Sequence, residues 1–392
     1  MPWKETSAMG QRIQLIADWL SGDYRKSELC RIYGISRPTG DKWIRRYDQH
    51  GLQGLAELER APHRHPNQTA EELRALIVQT KLRRQKWGPK KVLDWLRRER
   101  PELKWPADST AGEILKGAGL VKPRKRRRRR VTPYSEPFAE CGAPNQSWSA
   151  DFKGDFLLGN GRRCYPLTIT DNFSRYLLLC RALERPRQEE VQPWFEWIFR
   201  QSGLPEVIRT DNGAPFASLA LGGLSQLSKW WIKLGIKPER IQPGKPAQNG
   251  RHERMHRTLK EAVAPQSDLH EQQRHYDPFL EEYNWERSHE SLGRNTPGSV
   301  YCISPRPYPA KLPEVQYESG VTVRQVRHNG EIKWRGELLY LSETLAKEPV
   351  GLKPIDEGRW ELRYSFHLLG VLDERNKSIT PAKGWHGKCS KV

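Results

Sequence analysis

At 392 residues the chain is too long for one ordinary domain, and its length implies two to four. No run of eighteen apolar residues exists and the N-terminus has no signal-peptide pattern, so a membrane-spanning chain is excluded and a cytoplasmic, nucleoid-associated protein is expected. The net charge of +20 sits at the front, where residues 1 to 130 hold 31 Lys/Arg against 15 Asp/Glu while the remainder holds 36 against 32. The expected partner is therefore a polyanion, double-stranded DNA, rather than a membrane surface, for which no long helix sets Trp/Phe/Leu against Lys/Arg.

Residues 1 to 60 contain three short helical patterns. They are Gln11 to Leu20, with Ile13, Ile16, Ala17 and Leu20 as the apolar set; Lys26 to Tyr33, burying Leu29 and Ile32; and Pro38 to Tyr47. Gly34 supplies a tight turn, Ser36 a cap and Pro38 a first-turn proline, the signature of a helix-turn-helix. In the last helix Trp43 and Tyr47 point inward, leaving Arg37, Thr39, Lys42, Arg45 and Arg46 for a major groove; the competing reading is a small helical bundle with a solvated basic face.

A Pro/His-rich break, Ala61 to Asn67, separates a second helical unit over 68–121. Thr69 and Glu72 form a capping-box pattern for a helix to Arg84, followed by Pro89 to Arg98 and Ser109 to Lys116. His63 and His65 lack partner ligands. The linker 122–140 carries Lys122-Pro123-Arg124-Lys125 and then the block Arg126 to Arg130, too dense in like charge to pack. Arg126, Arg128 and Arg130 are assigned to phosphates, with a nuclear import signal as the alternative.

Residues 141–305 change character. Strand patterns at Ser147 to Leu158, Tyr165 to Thr170 and Tyr176 to Leu183 precede a helix (Glu189 to Arg200), a strand ending at Thr210, a helix near Leu224 to Leu234 and a strand near Ile236 to Ile241. This succession predicts a mixed sheet with helices on both faces. Asp268 to Glu286 reads as an aromatic-rich helix. From Val321 short strands with turns at Gly330, Gly336 and Gly358 suggest a small β-barrel over 315–375, followed by a flexible tail over 376–392. Six scattered cysteines with no CxxC pair argue against a zinc finger or a disulfide framework and fit a reducing compartment.

Three acids stand out. Asp151 lies in the first strand of this region, Asp211 at the end of a short apolar strand before Asn212-Gly213, and Glu253 in the first turn of a helix after Pro246-Ala247-Gln248-Asn249-Gly250. The bland alternative for Glu253 is a surface ion pair with Arg257, four residues on, among the cations Arg254 and His256. Three converging carboxylates stay ionised together only with compensating cations, and Mg2+ or Mn2+ suits all-oxygen ligation. We expect two ions, bridged by Asp151 and completed by Asp211 and Glu253, acting in phosphoryl transfer. Lys153, Lys245, Arg251, Arg254 and Arg257 are assigned to phosphate contacts, whereas Asp155 and Asp171 are read as structural or as supporting the ligands from behind, Asp171 as a turn cap.

The series Trp148-Ser149-Ala150-Asp151-Phe152-Lys153, Asp171-Asn172-Phe173-Ser174-Arg175, Thr210-Asp211-Asn212-Gly213 and Asn249-Gly250-Arg251-His252-Glu253-Arg254, then Thr296-Pro297 and Tyr301, resembles bacterial insertion-sequence transposases of the retroviral-integrase-like group. The resemblance spans residues 11 to 373. It implies a multidomain α/β protein with all-α N-terminal helix-turn-helix domains, an RNase H-like mixed-sheet DDE core and the small β-barrel. It also implies a DNA transposase that binds terminal inverted repeats, cleaves and transfers strands with Mg2+, and works as at least a dimer on DNA. A non-cleaving, domesticated regulator and an RNase H-like nuclease are the alternatives. Two departures from the family pattern are the 41 residues between Asp211 and Glu253, with Ser218 to Ser228 as an insertion, and Arg287-Ser288-His289 where many relatives read Arg-Pro-His.

Overall fold

The computed structural model describes residues 7–57, 68–121, 141–241 and 250–382. It divides the chain into two compact units, Met1–Thr69 and Ala70–Val392.

The first unit is three helices, α1 (Ala8–Leu20), α2 (Lys26–Ile32) and α3 (Arg37–His50). Gly34 takes a left-handed φ of 63° between α2 and α3, and the Ser36 hydroxyl accepts from the Thr39 amide at 3.4 Å, as the turn chemistry predicts. Leu15, Ile16, Leu29, Cys30, Trp43, Ile44 and Leu55 form the core. The apolar stripe of α1 is rotated from the expected one: Ile13 and Leu20 are exposed, because Leu15, Ile16 and half-buried Trp19 are the residues turned inward. Ile32 is exposed as well, since α2 presents Leu29 and Cys30 to the core. Trp43 is the keystone, with the Arg12 guanidinium 3.9 Å and the Lys42 amine 4.6 Å from its ring centroid. Trp43→Ala is expected to cost about 3–5 kcal/mol and to remove the melting transition and DNA binding of this unit. A transition at the wild-type temperature would refute that role.

The second unit begins with α4 (Glu71–Arg83), α5 (Pro89–Glu99) and α6 (Asp108–Gly117), packed around Ile77, Trp87, Val92, Leu93, Leu96, Ala111 and Leu115. The capping box expected at Thr69/Glu72 does not form. Ala70 is the N-cap, without a side-chain bond, and the acids Glu71 and Glu72 in the first turn favour the helix dipole instead.

The mixed sheet follows, from β1 (Ser147–Phe152), β2 (Phe156–Leu157), β3 (Arg163–Asp171), β4 (Leu177–Leu183), β5 (Val207–Thr210) and β6 (Lys237–Arg240), with α7 (Gln188–Ser202) and α8 (Gln226–Lys233) between strands. The single strand expected over Ser147 to Leu158 is broken at 153–155, and β2 resumes the pairing with β3 beyond the break. β3 lies between β4 and β1, both antiparallel to it; β5 and β6 continue the sheet in parallel. Alternation along β1 and β3 sends Trp148, Ala150, Leu167 and Ile169 to the face covered by Phe195, Phe199 and Trp231 of α7 and α8. The opposite face receives α9 (Gly250–Ala262) and α10 (Leu269–Glu281), through Leu177 and Cys180 against Met255, Leu259, Tyr276, Phe279 and Tyr283. A π-helical turn, Glu282–Glu286, ends α10, and α11 (Pro297–Val300) follows.

The remaining strands are β7 (Thr322–Gln325), β8 (Glu331–Trp334), β9 (Glu337–Tyr340), β10 (Pro349–Asp356), β11 (Arg359–Tyr364), β12 (His367–Asp373) and β13 (Ser378–Pro381). Among the described residues they do not close the expected barrel: β13-β12-β11-β10-β7 is an open antiparallel sheet and β8-β9 a separate hairpin. Five strands with β7 and β13 as free edges leave no ladder to join the ends. Of the tail expected over 376–392, Ser378–Pro381 pairs with β12, and residues 383–392 lie outside the described residues. The insertion Ser218 to Ser228 is not a loose loop. Leu221 and Leu224 join the core of this last sheet, and Lys233 of α8 pairs with Glu348 at 2.7 Å. No helix among the described residues is long and apolar enough to cross a membrane.

Candidate active site

The last pair joining β1 and β5 is Ser149↔Arg209; Asp151 lies two residues further along β1, and Asp211 two residues further along the chain, just past the end of β5. Both are half-buried. Asp151 is paired with Thr168 and Ser149 with Thr170 across β3, so these side chains share one face, the face on which α9 lies. Asp211 begins a tight turn, its Oδ1 accepting from the Gly213 amide at 3.1 Å.

Two histidines of α9 seat that helix on the face. His252 Nδ1 lies 2.9 Å from Thr170 Oγ1, its Nε2 lies 2.7 Å from Thr168 Oγ1, and His256 Nε2 lies 2.7 Å from the same Thr168 oxygen. The Thr168 hydroxyl donates to the backbone carbonyl of Asp151 at 3.1 Å. A hydroxyl has one proton, so once it is given to Asp151 both Nε2 atoms donate and His252 Nδ1 accepts from Thr170. Both imidazoles are neutral: burial, and then the neighbouring His256, pushes His252 well below the usual histidine value, and burial, then Lys153, lowers His256 to about 3. Counting His256 among the cations around Glu253 was therefore an error of position, because it faces the sheet. The signal was available in the stripe His252, Met255, His256 and Leu259, spaced as one helix face.

Glu253 sits one residue from His252 on this seated helix and is exposed, and among the described residues no ion pair joins it to Arg257. The group of potential metal ligands found together among the described residues is Asp151, His252 and His256, whose ligand atoms lie within 4.8 Å of one another; Asp211 and Glu253 are outside it. Asp171 is buried at the end of β3 and caps the following turn, accepting from the Ser174 amide at 2.7 Å and from its hydroxyl at 2.6 Å, while Asp155 is exposed and paired with Arg163. Both are structural, as expected.

The assigned DNA contacts divide. Arg37, Lys42 and Arg45 are exposed on α3, Lys42 with its amine 4.6 Å from the Trp43 ring centroid; Thr39 bonds Ser36 at 2.8 Å, and half-buried Arg46 lies 5.2 Å from the same centroid. Arg254 and Arg257 are exposed, and Arg251, also exposed, donates to the Asn172 carbonyl at 3.0 Å. Lys153 is half-buried over Phe156, its amine lowered by burial and then by Lys260. Arg126, Arg128, Arg130 and Lys245 lie outside the described residues, as do His63 and His65.

Residues 142–246 and 234–297 match models of the integrase core domain, residues 11–63 a helix-turn-helix domain and residues 39–115 a homeodomain-like domain. The uncharacterized 31.7 kDa protein of insertion element IS407 from Burkholderia multivorans is 30% identical over 232 residues, which cover 56% of this chain and 69% of that protein. The uncharacterized 39.2 kDa protein of IS476 from Xanthomonas euvesicatoria is 26% identical, covering 62% and 69%. The HTLV-2 integrase catalytic core domain, solved in complex with magnesium, is 17% identical with a TM-score of 0.33, covering 42% of this chain and all of that one. An integrase-type sheet preceded by helix-turn-helix units, in a chain that aligns with most of an insertion-element protein, places the protein in its family: the chain belongs to the bacterial insertion-sequence transposases of the retroviral-integrase-like group.

Proposed function

We propose that the protein binds the terminal inverted repeats of its element through the N-terminal helices, hydrolyses a phosphodiester to free a 3′ hydroxyl, and directs that hydroxyl at target DNA. The observation that supports this reading is the register of β1 with β5, since Asp151 and, just past the end of β5, Asp211 each follow the pair Ser149↔Arg209 by two residues, while His252 and His256 seat the helix bearing Glu253. Asp151, Asp211 and Glu253 offer oxygen donors only, which suits Mg2+ or Mn2+. The nearby imidazoles are weak competitors as ligands, because both nitrogens of His252 and Nε2 of His256 are held by threonine hydroxyls. Two such ions, when bound, would activate the attacking oxygen and stabilise the leaving one.

The chain's own groups supply the rest. Arg254, Arg257 and Lys260 form an exposed cationic side of α9 that can hold phosphates beside the acids. Arg37, Lys42 and Arg45 are exposed and can meet the major groove, and the arginine block would make affinity fall steeply with salt. Joining two ends requires at least two copies on DNA.

Labelled element ends, an RNA–DNA hybrid and unrelated duplex, each with and without Mg2+ or Mn2+, test the proposal. Metal-dependent nicking confined to element ends is the expected result. Preferential cutting of the hybrid would make the protein a nuclease, and tight end binding with no cutting under either metal would make it a regulator.

A further inference from the structure

The helical unit α4–α6 is fastened to the segment that follows α10. Trp87 Nε1 donates to Glu282 at 2.9 Å, Arg84 pairs with Glu282 at 3.2 Å and with Glu286, and the Lys91 amine donates to the Ser288 carbonyl. At the centre, buried Ser288 donates its hydroxyl to nearly buried Asp94 at 2.6 Å. Arg294 bridges Asp94 at 2.6 Å and Asp108 at 3.0 Å, and Asp108, the first residue of α6, is also held by Arg97 at 3.3 Å. The same segment is anchored to the sheet. Buried Asn284, in the π-helical turn, bonds both backbone groups of Leu177 on β4, at 2.8 and 2.9 Å. Directional bonds therefore run from the start of α6 through Arg294 and Asp94 to Ser288, and Asn284, four residues earlier in the same segment, ties that segment to β4, which is joined through β3 to β1 and Asp151.

Charged bonds of this kind are inferior to apolar packing as a source of stability, but they specify one geometry. Third in its unit, α6 occupies the place of a recognition helix and exposes Ser109, Thr110, Glu113 and Lys116. We infer that the Asp94–Ser288–Arg294–Asp108 clamp is a ruler: it fixes the distance between the bases read by α6 and the phosphate that is cut. The inference rests on the proposed function, and Arg294 and Ser288 act as positioning residues.

Full-length protein carrying Ser288→Ala or, separately, Arg294→Ala tests the ruler on a labelled duplex spanning the element ends, with Mn2+ present, the α6 footprint recorded and the cut mapped to the nucleotide. The α6 footprint should persist with affinity within about twofold. Hydrogen exchange should still protect α4–α6, which keep their own apolar core. The cut should spread over neighbouring phosphates, more for Arg294→Ala than for Ser288→Ala. Should the wild-type protein cut nothing, the proposed function falls and the ruler with it. A wild-type cut at one phosphate that both variants reproduce as sharply overturns the ruler alone, as does a variant that footprints without cutting, because a ruler sets where and not whether.

Discussion

Asp211→Asn should lower strand cleavage by at least about 10²–10³-fold, the loss typical of removing one preorganised charge-stabilising group, while end binding and folding stay intact. The geometry makes this replacement informative. Asp211 holds its turn through Oδ1, which accepts from the Gly213 amide, and an asparagine oxygen can accept the same bond. What disappears is the negative charge and with it the oxygen donor strength a divalent ion needs. The fold should thus change by no more than about 0.5 kcal/mol, as for a substitution that removes no packed group. Measuring single-turnover cleavage in Mg2+ beside gel-shift affinity for the same ends separates the two effects. Cleavage retained at the wild-type rate would remove Asp211 from the mechanism.

His252→Ala is the second large effect, and it acts through position. The imidazole is buried, and its loss leaves the Thr170 hydroxyl and one lone pair of Thr168 without partners beside a new cavity. Each unsatisfied buried group costs about 1–3 kcal/mol, so the unit should melt measurably lower. Helix α9 then keeps His256, the Arg251 bond to the Asn172 carbonyl and its apolar residues to set its rotation, and Glu253 loses its alignment. Cleavage should drop about 10–100-fold, the usual penalty when a partner behind a metal ligand is removed. The same contacts give a pH dependence. Both histidines have folded values depressed below the ordinary 6.5, so the unfolded chain binds more protons, and stability is full above about 6.5 and falls as pH drops through the window toward the value near 3 of His256. In the alanine variant the His252 share of that acid sensitivity disappears. Equal melting temperature and equal rate across pH 5–8 in wild type and variant would show that the network has no part in seating the helix.

The two units differ in how openly their sequence speaks. In α3 the cap Ser36, the turn Gly34 and inward Trp43 are all local features, and each takes its expected place. Ile13 and Leu20 fit a helical stripe with Ile16 as well as Leu15 does; the choice of Leu15 is made by the shared core with Trp43, which lies some thirty positions away in the chain. The same limit explains β13. Residues 378–381 are short and follow a charged turn, and only the edge of β12 makes them a strand.

Residue types and their order were enough to nominate Asp151, Asp211 and Glu253 as candidates and to bring the family resemblance with them. Chain order and local periodicity also determined the succession of helix-turn-helix units and mixed sheet, because caps, turns and alternation are written in neighbouring residues. Tertiary structure alone decided which atoms meet. Strand register, set by a sheet assembled from distant segments, paired β1 with β3 so that Asp151 stands opposite Thr168, and paired β1 with β5, just past whose end Asp211 lies. Helix rotation, set by hydrogen bonds to Thr168 and Thr170, turned His252 and His256 inward as neutral groups and left Glu253 at the surface. A histidine's charge depends on what desolvates it, and that is a property of the packed neighbours rather than of the sequence around it.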